Sequence, residues 1–281
     1  MKAICSPGNL NLAWKTSRND RANWVPGTSR RDIERDLYGE LLTLADELKS
    51  GQYLCNQVRR FSIQKANGQN RQIAVLALRD KVAQRAVLQI LQPIFEGQFH
   101  SDSFGYRPGR NVAMAHARVR TFITEQGSWV VHTDIKDCFD RMPIRRLAKT
   151  LKRWIKDRCC FALAKHWLYR HATQPPRWFR RARGVPQGAI LSPLWVNAYL
   201  TELDKALEKE GIRFVRYADD VLLICCSERQ ARSHAKRLKK HLKRLGLAMN
   251  LRKTEIAKAG PGIEFLGLPL PKVRQPAHSV V

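Results

Sequence analysis

The segment RFVRYADDVLLICC, residues 213–226, sets two adjacent aspartates, Asp219 and Asp220, between two apolar runs. Val215–Tyr217 and Val221–Cys226 favour strands, so Ala218-Asp219-Asp220 reads as the tip of a hairpin. Paired aspartates at a turn are common by themselves, because their side chains bond nearby backbone. A third acid changes their meaning. Asp134 closes another apolar run, WVVHTDI, and a carboxylate ending a buried strand needs a cation or a charge partner. Three carboxylates converging from two strands make a hard oxygen site suited to Mg²⁺, which shares its coordination between carboxylates and substrate phosphates. Two such ions about 3.5–4 Å apart, with Mn²⁺ as an alternative metal, would activate an attacking hydroxyl and stabilise a leaving pyrophosphate.

The chain around these acids is strongly basic. Its 281 residues hold 51 Lys and Arg against 24 Asp and Glu, a formal charge of +27. Such an excess costs self-repulsion and points to a polyanionic partner. Seven cysteines, an odd number with no CxxC or CxxH spacing, argue against both a disulfide framework and a zinc site. No signal peptide and no run long enough to span a bilayer is present, so a reducing cytoplasm is the expected setting.

The positioning elements follow from periodicity. Residues 1–29 are rich in Asn, Arg, Ser and Gly, with Trp14 and Trp24 as packing anchors. Ile33, Leu37, Leu41, Leu44 and Leu48 recur at helical spacing, with Ser29 as N-cap and Gly51 as stop. VRRFSIQKANGQNRQIAVLAL reads as two strands around a turn, and RDKVAQRAVLQILQPIFE as a helix that Pro93 ends or kinks. WVVHTDIKDCFD is a buried strand entering a loop, and Pro143 opens a helix. Between Arg145 and Arg183 stand thirteen Lys/Arg and one acid, Asp157. SPLWVNAYLTELDKALEKEG is a helix. ERQARSHAKRLKKHLKRLG is another, with Ala231, Ala235, Leu238, Leu242 and Leu245 on one face and eight Lys/Arg between Arg229 and Arg244. The mixed order predicts an α+β fold with an antiparallel sheet.

These motifs together resemble reverse transcriptases, the bacterial group II intron type most closely. YADD after a strand, DIKDCF upstream and GVPQGAILSPLWVNAYL between them are like that family's palm motifs. VRRFSIQKANGQNRQ and RDKVAQRAVLQILQPIFEGQFHSDSFGYRPGR resemble its fingers. MNLRKTEI resembles the lysine motif after the hairpin, and EFLGL the short hairpin that grips the primer. The resemblance runs from about Tyr53 to Leu270. It implies a right-hand polymerase palm with fingers, and Asp134, Asp219 and Asp220 as catalytic metal ligands. Lys65 and Arg71 would hold the incoming triphosphate, a point charge and a bidentate fork suited to phosphate oxygens. Gln187 would line the nucleotide pocket, with Gly184 and Gly188 allowing close backbone approach. Phe139 would exclude a ribose 2′-hydroxyl, and Lys253 would protonate the leaving pyrophosphate. Arg107, Arg110, Arg183, Lys239, Lys240 and Lys243 are candidate nucleic-acid contacts.

The implied division is a basic N-terminal extension with a helix over 1–52 and a reverse transcriptase domain over 53–272, with a tail over 273–281. Within the domain, fingers fall at about 53–128 and 142–188, and palm at about 129–141 and 189–272. The chain departs from the family in reading RQIAVL where RPLGIP is usual. Only eleven residues follow Leu270, so the helical thumb and maturase region are expected to be absent or rudimentary. The expected activity is RNA-directed DNA polymerisation, with an RNA template, a DNA or RNA primer and dNTPs as partners. A structured RNA or a partner protein would stand in for the thumb. The alternatives are a non-catalytic RNA-binding or splicing cofactor and a truncated remnant. Intron mobility, retron-like or other phage defence, and CRISPR-linked spacer acquisition remain open as settings.

Overall fold

The computed structural model describes residues 1–64, 68, 70–178 and 181–271. Helix α1 (Pro7–Thr16) starts under a Ser6 cap and carries Trp14, whose ring meets Trp24 edge-on at 5.9 Å. The single helix expected after Ser29 is two: α2 (Arg30–Glu34) and α3 (Leu37–Ser50). Asp36 breaks them apart, because its carboxylate accepts from the Gly39 N–H at 3.0 Å and caps the second helix. Gly51 ends α3 in the left-handed conformation, as expected. β1 (Arg59–Gln64) and β2 (Asn70–Val75) form the antiparallel hairpin. Helix α4 (Leu78–Glu96) runs through Pro93 rather than ending there. Its buried stripe continues to Phe95, which packs edge-on against Trp154 at 5.0 Å and holds the last turn.

Next come α5 (Val112–Gln126), β3 (Trp129–Asp134), the short α6 (Cys138–Arg141), α7 (Ile144–Trp154), α8 (Arg158–Arg170) and α9 (Ser192–Lys209). The hairpin of β4 (Arg213–Tyr217) and β5 (Asp220–Cys225) leads into α10 (Glu228–Leu245). β6 (Glu255–Lys258) and a small hairpin of β7 (Glu264–Phe265) and β8 (Leu268–Pro269) follow. β4, β5, β3 and β6 lie side by side in that order, with every pairing antiparallel.

The chain divides into two compact units. The first comprises Met1–Gln98 and Phe139–Ala198, and the second Phe99–Cys138 and Tyr199–Val281. Residues 99–128, expected with the fingers, therefore fall in the unit that holds the four-stranded sheet. That unit's core is Val119, Phe122 and Ile123 of α5 against Val130, Val215, Leu222 and Ile224 of the strands, closed by Phe265. All seven cysteines are free, and among the described residues no helix is long and apolar enough to cross a membrane.

Candidate active site

Strand register brings two of the expected carboxylates together. In the antiparallel pair of β3 and β5, Asp134 stands directly opposite Asp220. The ladder continues one step further, with the Ile135 N–H donating to the Asp219 carbonyl at 2.9 Å. The turn before Asp219 is tight, and Ala218 takes a left-handed φ of 57°. A β-hairpin tip needs such a residue, and a non-glycine residue there is strained. Gly105 makes the close approach possible, since a Cβ on it would lie 2.3 Å from the Ala218 nitrogen.

Asp134 Oδ1 is buried and has no hydrogen-bond partner, and Asp134 Oδ2 meets Lys253 Nζ at 3.4 Å. Lys253, expected to act on pyrophosphate, thus reaches one of the carboxylates as well. Asp220 Oδ1 is 2.8 Å from His132 Nε2. That hydrogen bond raises the His132 pKa above its ordinary value, against burial, which pushes it down. His132 was missed in the sequence. Its position two residues before Asp134 on one strand was the available signal, because side chains two apart share a face.

Among the described residues no group of three or more His, Cys, Asp or Glu side chains could by itself hold a metal ion. The residues nevertheless fit a divalent cation. An orphaned buried carboxylate oxygen beside a second carboxylate is a partial oxygen shell, of the kind that Mg²⁺ completes with substrate phosphates and water.

The first unit carries the expected nucleotide-site residues Phe139, Gln187 and Gly188. Phe139 is buried, at 7% exposure, and its carbonyl accepts from the Val185 N–H at 2.8 Å. Gln187 donates from Nε2 to Asp140 Oδ2 at 3.2 Å, and its carbonyl accepts from the Ala74 N–H at 2.7 Å. Gly188 has a φ of +104°, and a Cβ there would lie 2.5 Å from the Ala74 oxygen. Asp140 and Gln187 border an open pocket whose other walls are Arg60, Gln72, Ala74, Thr173, Gln174 and Pro186. Lys65 lies outside the described residues, as does the side chain of Arg71.

The nucleic-acid candidates separate. Lys239, Lys240 and Lys243 are exposed on α10, while Arg183 is half-buried and pairs backbone to backbone with Gln174. Arg107 is buried instead of facing a polyanion, because its guanidinium donates to the carbonyls of His100 and Ser103, each at 2.7 Å. Arg110 donates to the Ser101 carbonyl and lies 5.1 Å from the Phe104 ring centre.

A four-stranded antiparallel sheet with aspartates opposed at the ends of its central strands is a polymerase-palm arrangement. Over residues 63–270 the chain matches the family described as reverse transcriptase (RNA-dependent DNA polymerase), and it belongs to that family. It is 30% identical to protein YkfC of Escherichia coli K12, over 90% of this chain and 76% of that one. It is 34% identical to the group II intron-encoded protein LtrA of Lactococcus lactis, over 72% of this chain but only 33% of LtrA. Among solved structures, telomerase from Candida albicans superposes with a TM-score of 0.60 at 16% identity, covering 88% of this chain and 50% of that one. A partial Cas6-RT-Cas1–Cas2 complex reaches 0.50 at 24%, covering 86% and 41%. At these identities the two structures speak for the fold alone.

Proposed function

We propose that the chain is an RNA-directed DNA polymerase, adding dNTPs to a primer 3′-hydroxyl on an RNA template. The observation that carries this reading is the register pairing of Asp134 with Asp220, beside a buried carboxylate oxygen that lacks any partner. Asp134, Asp219 and Asp220 would hold Mg²⁺, which when bound supplies Lewis-acid activation of the hydroxyl and charge neutralisation at the phosphates. His132 holds Asp220 in place through its ring nitrogen. Lys253, anchored on Asp134, is the proton source for the leaving pyrophosphate. Lys65 and Arg71 bind the triphosphate, Gln187 lines the nucleotide pocket, and Phe139 packs against the sugar, while the bare Cα of Gly188 is taken up by its close approach to the Ala74 backbone.

The group II intron-encoded relative makes a structured RNA the template to try first, with a partner protein as a second aid to holding it. The test is primer extension on RNA and on DNA templates, with each dNTP omitted in turn. Template-directed products are expected from the wild-type chain. Asp219→Asn and Asp220→Asn should each lower the rate by at least about a thousandfold, roughly 4 kcal/mol of barrier, while the protein stays folded and still binds RNA. Undiminished extension by the purified double variant would remove the carboxylates from the mechanism. RNA binding without any extension by the wild type would make the chain a non-catalytic RNA-binding protein.

A further inference from the structure

Beneath the aspartate turn lies an ion pair that the chemistry does not use. Arg216 and Asp204 have fully buried side chains, at 0% exposure each. Arg216 grips Asp204 with two parallel bonds, Nε to Oδ1 at 2.8 Å and Nη2 to Oδ2 at 2.6 Å. Its remaining arm, Nη1, donates to the Ala218 carbonyl at 2.9 Å. That carbonyl belongs to the left-handed residue immediately before Asp219.

The same residue is held along its backbone. The Arg216 N–H donates to the Asp102 carbonyl at 2.9 Å, and its carbonyl accepts from the Phe104 N–H at 2.8 Å. From Phe104 the chain passes to Gly105, whose backbone lies against Ala218 so closely that no side chain fits.

We propose that Arg216 and Asp204 are positioning residues: a buried brace that locks Ala218 in its left-handed conformation and so aims Asp219 and Asp220 at Asp134. Stability does not explain the pair. A buried ion pair gives up two hydration shells, and well-packed apolar residues of similar volume commonly stabilise a core as well or better. What apolar residues cannot supply is a fixed donor aimed at a backbone carbonyl. Arginine is the one side chain whose planar fork can bind a carboxylate with two groups and leave a third for the turn. A non-glycine residue at positive φ persists only where its surroundings over-determine it, and this brace is that determinant. Neither residue touches substrate; both act through Ala218. The proposal concerns the site assigned above and rests on that reading for its kinetic consequence, though not for its structural one.

The test uses the full chain and two readouts. Asp204→Leu with Arg216→Met replaces the pair by an apolar one. Amide hydrogen exchange across residues 217–220 should quicken by about tenfold or more, with exchange in α5 and α10 unchanged. In single-turnover extension the rate should fall about tenfold or more. The primer–template Kd should hold within about twofold, and the Mg²⁺ concentration giving half the maximal rate should rise. Arg216→Lys keeps the charge but lacks the fork, and should show the same pattern in milder form; it decides the matter where the double variant does not fold. Unchanged exchange at the turn in a folded variant overturns the proposal, as does an unchanged rate and Mg²⁺ requirement in an active one. Failure of both variants to fold also overturns it, since the pair would then serve the core. If the wild type does not extend primers, the polymerase reading fails, while hydrogen exchange still tests the brace.

Discussion

A single ring, Phe139, bears the choice between deoxyribose and ribose in the proposed polymerase. It is nearly buried, and its carbonyl is tied to the Val185 N–H, so ring and backbone are both held in place. Trimming the ring to Val removes bulk from the place where a 2′-hydroxyl would collide. We expect Phe139→Val to raise kcat/KM for a ribonucleotide relative to the matching dNTP by about tenfold or more, on the order of 1.4 kcal/mol of discrimination. The comparison of one rNTP with its dNTP settles it. An unchanged ratio in an active variant would make Phe139 an ordinary core residue. At this scale the sequence was legible where chemistry restricts residue type. Asp134, Asp219 and Asp220 stood out because acids are scarce in this chain and costly beside apolar strands. His132 and the Arg216–Asp204 pair did not, since a histidine in a strand or an arginine among hydrophobic residues has many uses. Only strand register and burial show which group each one meets. Arg107 shows the converse: a lone basic residue in a basic chain looks like a phosphate ligand until its carbonyl partners are seen.

Helix α10 shows what an element contributes. Its inner face, with Ala231, His234, Ala235, Leu238, His241 and Leu242, is buried, and its outer face presents Lys239, Lys240 and Lys243 to solvent. We expect the triple change of these lysines to Gln to leave the helix intact, because Gln forms helices about as well as Lys. Binding of primer–template should weaken, and its logarithmic dependence on salt should flatten by about two to three, close to one for each phosphate that is no longer neutralised. A salt slope equal to that of the wild type would place the nucleic acid elsewhere. The period of α10 was readable because small and apolar residues alternate with long basic ones. Helices α1, α5 and α8 were not, for particular reasons. Helix α8, RCCFALAKHWLYR, sits within the basic run, where charge drew more notice than its buried Cys160, Ala164, Trp167 and Leu168. Helix α5 carries Val, Ile and Thr, which weaken helical propensity, and depends on the Asn111 cap. The split between α2 and α3 turns on one side-chain bond from Gly39 to Asp36, which no periodicity reveals.

The molecule as a whole carries a formal charge of +27, and acid makes that worse by neutralising the few carboxylates it has. A second cost of acid is local. His171 is buried, its Nε2 has no hydrogen-bond partner, and burial pushes its pKa down to about 4. Burial also lowers the pKa of His166 and His234. An unfolded histidine binds its proton near pH 6.5, so between that value and about 4 the unfolded chain holds a proton at position 171 that the folded chain refuses. The unfolded state then binds more protons, and stability falls as pH drops through this window. For a depressed histidine the stability is complete above the unfolded pKa and is lost on the way down to the folded one. From His171 alone the loss amounts to about 3 kcal/mol by pH 4. We therefore expect the urea midpoint to be nearly level from pH 8 to 7 and to decline steadily from 6.5 to 4.5. His171→Phe keeps an aromatic ring in the site but cannot be protonated. Whatever its stability at pH 8, the variant should lose less than the wild type on going to pH 4.5, by about 2–3 kcal/mol. Measuring both proteins at both pH values cancels the general repulsion that they share. Equal losses would mean that His171 is solvated well enough to take its proton in the folded state.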